Sequence, residues 1–186
     1  MVAAARITAT PVHGGGFAVA ALLLFAALAQ SAPARGEEAW FTLAPPGEGF
    51  SVEMPGEGAR SRDNNHDPEL FVSAKDYGAD YAGGYFIATA FRFRAEKREA
   101  LTDAEIFDFS AALIGPTCET VSVEPYLGGP GAAQAIIYDC GGGIRVAERV
   151  HLVDDRLYRL SAGGPDGVEA SAAATRFFDS FRIVDE

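Results

Sequence analysis

Short apolar segments punctuated by Gly, Pro, Asn and Asp run through residues 40–94, a rhythm that predicts strands joined by tight turns. Strands are expected at 40–43, 50–54, 70–77 and 85–94. The tetrapeptide Pro-Gly-Glu-Gly occurs at 46–49 and again at 55–58, bounding the second of these strands. Within 86–94, Ile87, Thr89, Phe91 and Phe93 alternate with Ala88, Ala90, Arg92 and Arg94, so one face is expected to pack and one end of the other to reach water. Thr102-Asp103-Ala104-Glu105 has the form of a capping box, and Ile106, Phe109 and Leu113 follow at helical spacing until Gly115-Pro116 stops the helix. Segments 119–127 and 132–139 then read as a hairpin joined by Gly128-Gly129-Pro130-Gly131. Strands at 144–153 and 156–162 flank the turn Asp154-Asp155. A last helix is expected over 166–181, capped by Asp166 and Glu169 and burying Ala170, Ala174, Phe177 and Phe181, before a short closing strand Arg182-Ile183-Val184. Hairpin connections throughout give an α+β chain with a mainly antiparallel sheet covered by helices, rather than a doubly wound parallel sheet.

The N-terminus follows a different pattern. Arg6 is its only early charge, and an uncharged apolar run covers 17–29 before the small-residue segment Gln-Ser-Ala-Pro-Ala-Arg-Gly. A run of about 13 residues suits a secretory leader and falls short of the roughly 20 that a membrane-spanning helix needs. Cleavage fits Ala27-Leu28-Ala29 best, with Ala34-Arg35-Gly36 as a second position, and an uncleaved anchor is the alternative. No cysteine follows the run, where a lipoprotein signal requires one. The chain is thus expected to divide into a leader with its cleavage region, 1–36, and a single domain, 37–186, long enough for one hydrophobic core. Periplasmic or secreted localisation follows, with no stable membrane insertion once the leader is removed.

Charge narrows the partners. The formal net charge is −11, and losing Arg6 and Arg35 with the leader makes it −13 because all 26 acidic residues lie beyond it. An acidic surface repels phosphate backbones and anionic headgroups, which disfavours nucleic-acid and membrane-surface partners.

Cys118 and Cys140 are the only cysteines, and in an oxidising compartment a lone pair is expected to be a disulfide. If Leu127 pairs with Gly131, an antiparallel register keeps the residue numbers of each pair at a constant sum. Cys118 then falls opposite Cys140, within bridging reach.

The series Trp40, Gly49-Phe50-Ser51-Val52-Glu53-Met54-Pro55-Gly56, Gly128, Pro130-Gly131, Arg156-Leu157-Tyr158-Arg159-Leu160, Phe177 and Ser180-Phe181 resembles the PsbP-like and DcrB-like group of small domains. The resemblance spans most of the chain after the leader and implies an α/β/α sandwich. It also implies a small exported or lumenal domain that attaches to a larger assembly. No catalytic motif unites that group, so the resemblance carries no active-site residues.

Candidate chemistry is sparse. Beyond the leader only His66 and His151 are available as bases, and no Gly-x-Ser-x-Gly element is present, so an enzyme is the weaker reading. His151 should face Tyr158 across the Asp154-Asp155 hairpin, and with nearby arginines these two would anchor a pocket between sheet and helix. In the polar loop, Asp63, Asn65 and Asp67 repeat the every-second-residue spacing that begins a calcium loop. Pro68 then stands where glycine is needed, and Ala74 where the bidentate glutamate should be. An irregular calcium or zinc site of Asp63, His66, Asp67 and Glu69 stands beside the plainer reading of a solvated turn. Neither glycine cluster, 128–131 or 141–143, matches a phosphate-binding fingerprint, so no cofactor is expected. Arg92, Arg94, Lys97 and Arg98 form the one local basic cluster, read either as a solvated strand end or as a patch for an acidic partner or anion. The sequence therefore points to an exported binding or accessory domain associated with an envelope protein complex. A small-ligand or metal-binding receptor or enzyme is the alternative.

Overall fold

The computed structural model describes residues 39–64, 67–113, 118–165 and 167–185, all within the compact unit Arg35–Glu186. Expectations that fall on the leader, and on Asn65, His66, Gly115, Pro116 and Asp166, lie outside the described residues. The elements are β1 (Trp40–Leu43), β2 (Phe50–Pro55), β3 (Arg60–Asp63), β4 (Phe71–Tyr81), β5 (Gly84–Phe93), α1 (Ala95–Ala100) and α2 (Asp103–Ala112). They continue with β6 (Glu119–Pro125), β7 (Ala132–Asp139), β8 (Arg145–Val153), β9 (Arg156–Gly164), a 3-10 turn (Val168–Ala170), α3 (Ala172–Asp179) and β10 (Arg182–Ile183).

Strands β3 to β9 form one antiparallel seven-stranded sheet in the order β3-β4-β5-β9-β8-β7-β6, and β1, β2 and β10 form a small sheet in the order β1-β2-β10. Both faces of the large sheet are apolar at its centre. On one face Tyr77, Ala79, Phe86, Ala88, Ala90, Tyr158, Leu160 and Ala162 pack against Phe50, Val52 and Met54 of β2 and Ala174, Phe177 and Phe178 of α3. Phe50 is the hub of that layer, its ring 6.0, 5.5 and 6.0 Å from those of Tyr77, Tyr158 and Phe181. On the opposite face Phe71, Ala74, Phe91, Phe93 and Leu157 pack beneath Ile106 and Phe107 of α2.

Several sequence expectations need correcting. Helices cover less of the sheet than predicted, because β1-β2-β10 shares one face with α3. β5 lies between β4 and β9, so Ala88 and Ala90 are as buried as Phe91 and Phe93; a central strand packs on both sides. The polar segment before the acidic loop forms edge strand β3, pairing Arg60 to Asp63 with Gly78 to Lys75. The Thr102–Glu105 capping box is present, but α2 buries Ile106, Phe107 and Ser110 while Leu113 is exposed. The last helix starts later than predicted, at Ala172. Ser171 Oγ accepts the Ala174 amide there and caps the helix, and Ala170, left in the 3-10 turn, is exposed. The hairpin register also shifts. Glu119 opposes Asp139 and Thr120 opposes Tyr138, but a bulge at Val121 places Ser122 opposite Ile137 and Pro125 opposite Gln134, so the constant sum holds only at the cysteine end.

Candidate functional site

Charged side chains inside a sheet require partners, because an unpaired buried ion is too costly to keep. Register places Arg62, Asp76, Thr89 and Arg159 in one row across β3, β4, β5 and β9. Arg60, Gly78, Ile87, Ser161 and Glu148 form the next row on the same face. Asp76, Thr89, Glu148 and Arg159 are all buried. Glu148, only 1% exposed, accepts from Arg159 Nε at 2.7 Å, from Ser161 Oγ at 3.1 Å and from the Tyr138 hydroxyl at 3.2 Å. Burial and the Glu148 charge push the Tyr138 hydroxyl far above its ordinary range, so it stays a donor. Asp76 accepts from Thr89 Oγ1 and Asn64 Nδ2, both at 2.8 Å, and from Arg62 Nε at 2.9 Å. With three donors each, both carboxylates act as anchors that fix the groups around them.

α2 covers the apolar half of this face. Over the β3-β4-β5 part of the polar half lies an open groove of about 370 Å³, lined by Arg60, Arg62, Asp76, Gly78, Tyr85 and Ile87 among others. On its rim Arg60 pairs with Asp80. Burial and the Glu148 charge raise the Tyr85 hydroxyl above its usual pKa. The arrangement can hold and orient a hydrogen-bonding group over a small apolar floor.

No protein-family profile matches the chain, and no curated protein matches it. Among solved structures, cyanobacterial PsbP (CyanoP) from Synechocystis sp. PCC 6803 is similar over 82% of this chain and 97% of its own length, with a TM-score of 0.53 and 12% identity. The fold is PsbP-like. A protein from Bacteroides thetaiotaomicron VPI-5482 covers 78% of this chain at 13% identity, but 48% of its own length and with a TM-score of 0.42, too loose a likeness to add to the assignment.

The PsbP-like domain disperses most of the residues singled out in the sequence. Cys118 and Cys140 are bonded, with Cα atoms 4.0 Å apart, and close the base of the β6-β7 hairpin. His151 opposes Tyr158 in register, yet it is 1% exposed, its ring stacked on Phe181 and edge-on to Tyr126. Its Nδ1 lies 3.3 Å from the Pro130 carbonyl, and burial, with the Arg149 charge nearby, holds its pKa below the usual histidine range. The Tyr158 hydroxyl donates to the Glu48 carbonyl at 2.9 Å. Both side chains therefore belong to the core between the sheet and the C-terminal segment.

Of the metal candidates, Asp63 lies on β3 opposite Lys75, on the face away from the groove. Asp67 Oδ1 accepts the Glu69 amide at 2.8 Å in a turn, and His66 is outside the described residues. Among the described residues no group of three His, Cys, Asp or Glu side chains is placed to hold a metal ion. The basic cluster is tied locally. Arg92 reaches Asp155 at 3.8 Å, Arg94 donates to the Pro68 carbonyl, and Arg98 donates to the Asp154 and Leu101 carbonyls and to Asp103. Lys97 is exposed on α1, a helix the sequence reading missed.

At the far edge of the sheet, β6 exposes Val121 and Val123, and Leu127 at the hairpin tip is 95% exposed. The opposite edge, β3, is four residues long and carries Arg60, Arg62 and Asp63.

Proposed function

We propose that this chain is an exported accessory domain that docks onto a protein of the cell envelope through its β6-β7 hairpin. The observation that carries this reading is the contrast between the two sheet edges. β3 is short and charged, the usual protection of a free edge, whereas β6 and its turn present three large apolar side chains to solvent. The bulge at Val121 and the proline ending β6 interrupt its hydrogen-bonding edge, so the contact is made by side chains rather than by an added strand. Glu119 and Glu124 flank the valines, which fits a partner surface that is apolar at its centre and basic around it.

Export is supported by the apolar run followed by small residues and by the disulfide, which persists in oxidising compartments. Among the described residues no helix is long and apolar enough to cross a membrane. The PsbP-like fold supports a small attached domain.

The test is site-specific photocross-linking in the native host, with the reactive group placed in turn at Val123, Leu127 and, as a control on another surface, Val72. The expected result is one discrete adduct from each of the first two positions, absent from the control, with the Leu127 adduct lost on Val123→Lys. Adducts of equal yield at Val72, or none from the hairpin, would sink the proposal.

A further inference from the structure

Gly78 sits in the middle of the 11-residue strand β4, where glycine weakens a strand for want of a side chain to pack. Its backbone does not require glycine, since its φ is ordinary for any residue. Its packing does not either: a Cβ there would meet Ile87 Cγ1 at 3.7 Å and the Phe86 carbonyl at 3.8 Å, both ordinary contacts. The register shift between β4 and β5 lies at Phe71 to Ser73, well away from it. What the missing side chain does is open the floor of the 370 Å³ groove, leaving Ile87 as its apolar base. That volume falls within the size range of small-molecule sites.

The unused hydrogen-bonding capacity of the lining is mostly of one kind. Arg62 spends only Nε on Asp76, and Arg60 only one terminal nitrogen on Asp80, so among the described residues both guanidinium groups keep free donors. Asp76 already accepts three donors, which leaves one acceptor position on Oδ2. Tyr85 borders the groove with its ring, its hydroxyl lying over Gly163 of β9. Planar guanidinium forks with free N–H groups match a carboxylate, and the Gly78–Ile87 floor suits a flat apolar body.

We propose that this groove is a binding site for a small organic carboxylate with a flat apolar body, its carboxylate on the Arg60 and Arg62 guanidinium groups and its body over Gly78 and Ile87. The site is independent of the hairpin docking surface. Strands β3 and β6 lie at opposite edges of the seven-stranded sheet, roughly 29 Å apart at the usual strand spacing.

The experiment is calorimetric titration of the full exported chain with 1-naphthoate, and with the neutral 1-naphthamide as comparison. Saturable binding of 1-naphthoate is expected, at least about tenfold tighter than the amide, with each of Arg62→Gln and Gly78→Leu weakening it by about tenfold or more. Gly78→Leu fills the floor without removing any polar contact, so a thermal melt should show it folded, and it tests the groove even if Arg62→Gln destabilises the sheet. Absence of saturable binding in the millimolar range, equal affinity for the amide, or undiminished binding by a folded Gly78→Leu protein would overturn the assignment.

Discussion

Glu148 is the residue on which the polar half of the sheet depends, because among the described residues its carboxylate is the one ion-pair partner of Arg159, and it also collects Ser161 and Tyr138. Replacing it alone leaves a guanidinium in the interior without a counter-charge. Glu148→Gln should therefore lower unfolding free energy by about 3–5 kcal/mol in urea denaturation, whereas the double change Glu148→Leu with Arg159→Leu should recover most of that loss. The sequence holds a signal for this site. In β8, Val146, Val150 and Leu152 share one face with a single charge, Glu148, and a lone charge among buried positions implies a buried partner. The partner lies within the same expected hairpin: the register that sets His151 opposite Tyr158 also sets Glu148 opposite Ser161 and diagonal to Arg159, and what no local pattern encodes is the burial of the pair. His151 shows the same limit: its pairing with Tyr158 follows from a two-residue turn, but its enclosure by Phe181 and Tyr126 comes from distant segments. The neutral ring makes stability pH-dependent. Its folded pKa is lowered, so below the unfolded value of 6.5 the unfolded chain takes up a proton that the folded chain resists. The contribution is complete above that pH and is lost as pH falls towards the folded value. Between about pH 7.5 and 5 the native protein should lose more stability than His151→Phe, a difference visible in paired urea titrations.

Among the elements, the strands were legible from alternation and turn residues, and α2 from its capping box, in which Thr102 Oγ1 accepts the Glu105 amide and Glu105 accepts the Thr102 amide. Thr102→Ala should cost about 1 kcal/mol, read from the shift in urea midpoint. The start of α3 was misread because Asp166 and Glu169 resemble caps. The chain instead makes a 3-10 turn first, and Ser171 closes it by donating its hydroxyl to the Val168 carbonyl. The β6-β7 hairpin owes its closed base to the disulfide, which links residues 22 apart in sequence. Paired Cys118→Ser and Cys140→Ser changes should lower stability by about 3 kcal/mol on the chain-entropy estimate, and amide exchange should rise first in β6, an edge strand whose sheet neighbour is β7.

At the scale of the molecule, the proposed docking assigns the acidic charge and the apolar hairpin to different stages of association. Raising salt should slow capture of a basic partner by about tenfold with little change in the dissociation rate, while Val123→Ala should speed dissociation, both measurable by surface-immobilised binding kinetics. The sheet order could be foreseen only as far as its hairpins reach. The junction of β5 with β9 brings together residues some 70 apart, such as Thr89 and Arg159, and the small sheet joins the first described strand to the last. That small sheet has a mechanical consequence. β1 and β10 both run antiparallel to β2, on either side of it. The chain enters β1 beside Pro55, while beyond β10 it leaves past Gly49, whose carbonyl accepts the Val184 amide. Opposed tension on the two ends therefore pulls along the strand axes. The ladders of β2 are loaded in shear, so their hydrogen bonds must fail together instead of unzipping one at a time, and a domain tethered at one end resists a pull on the other.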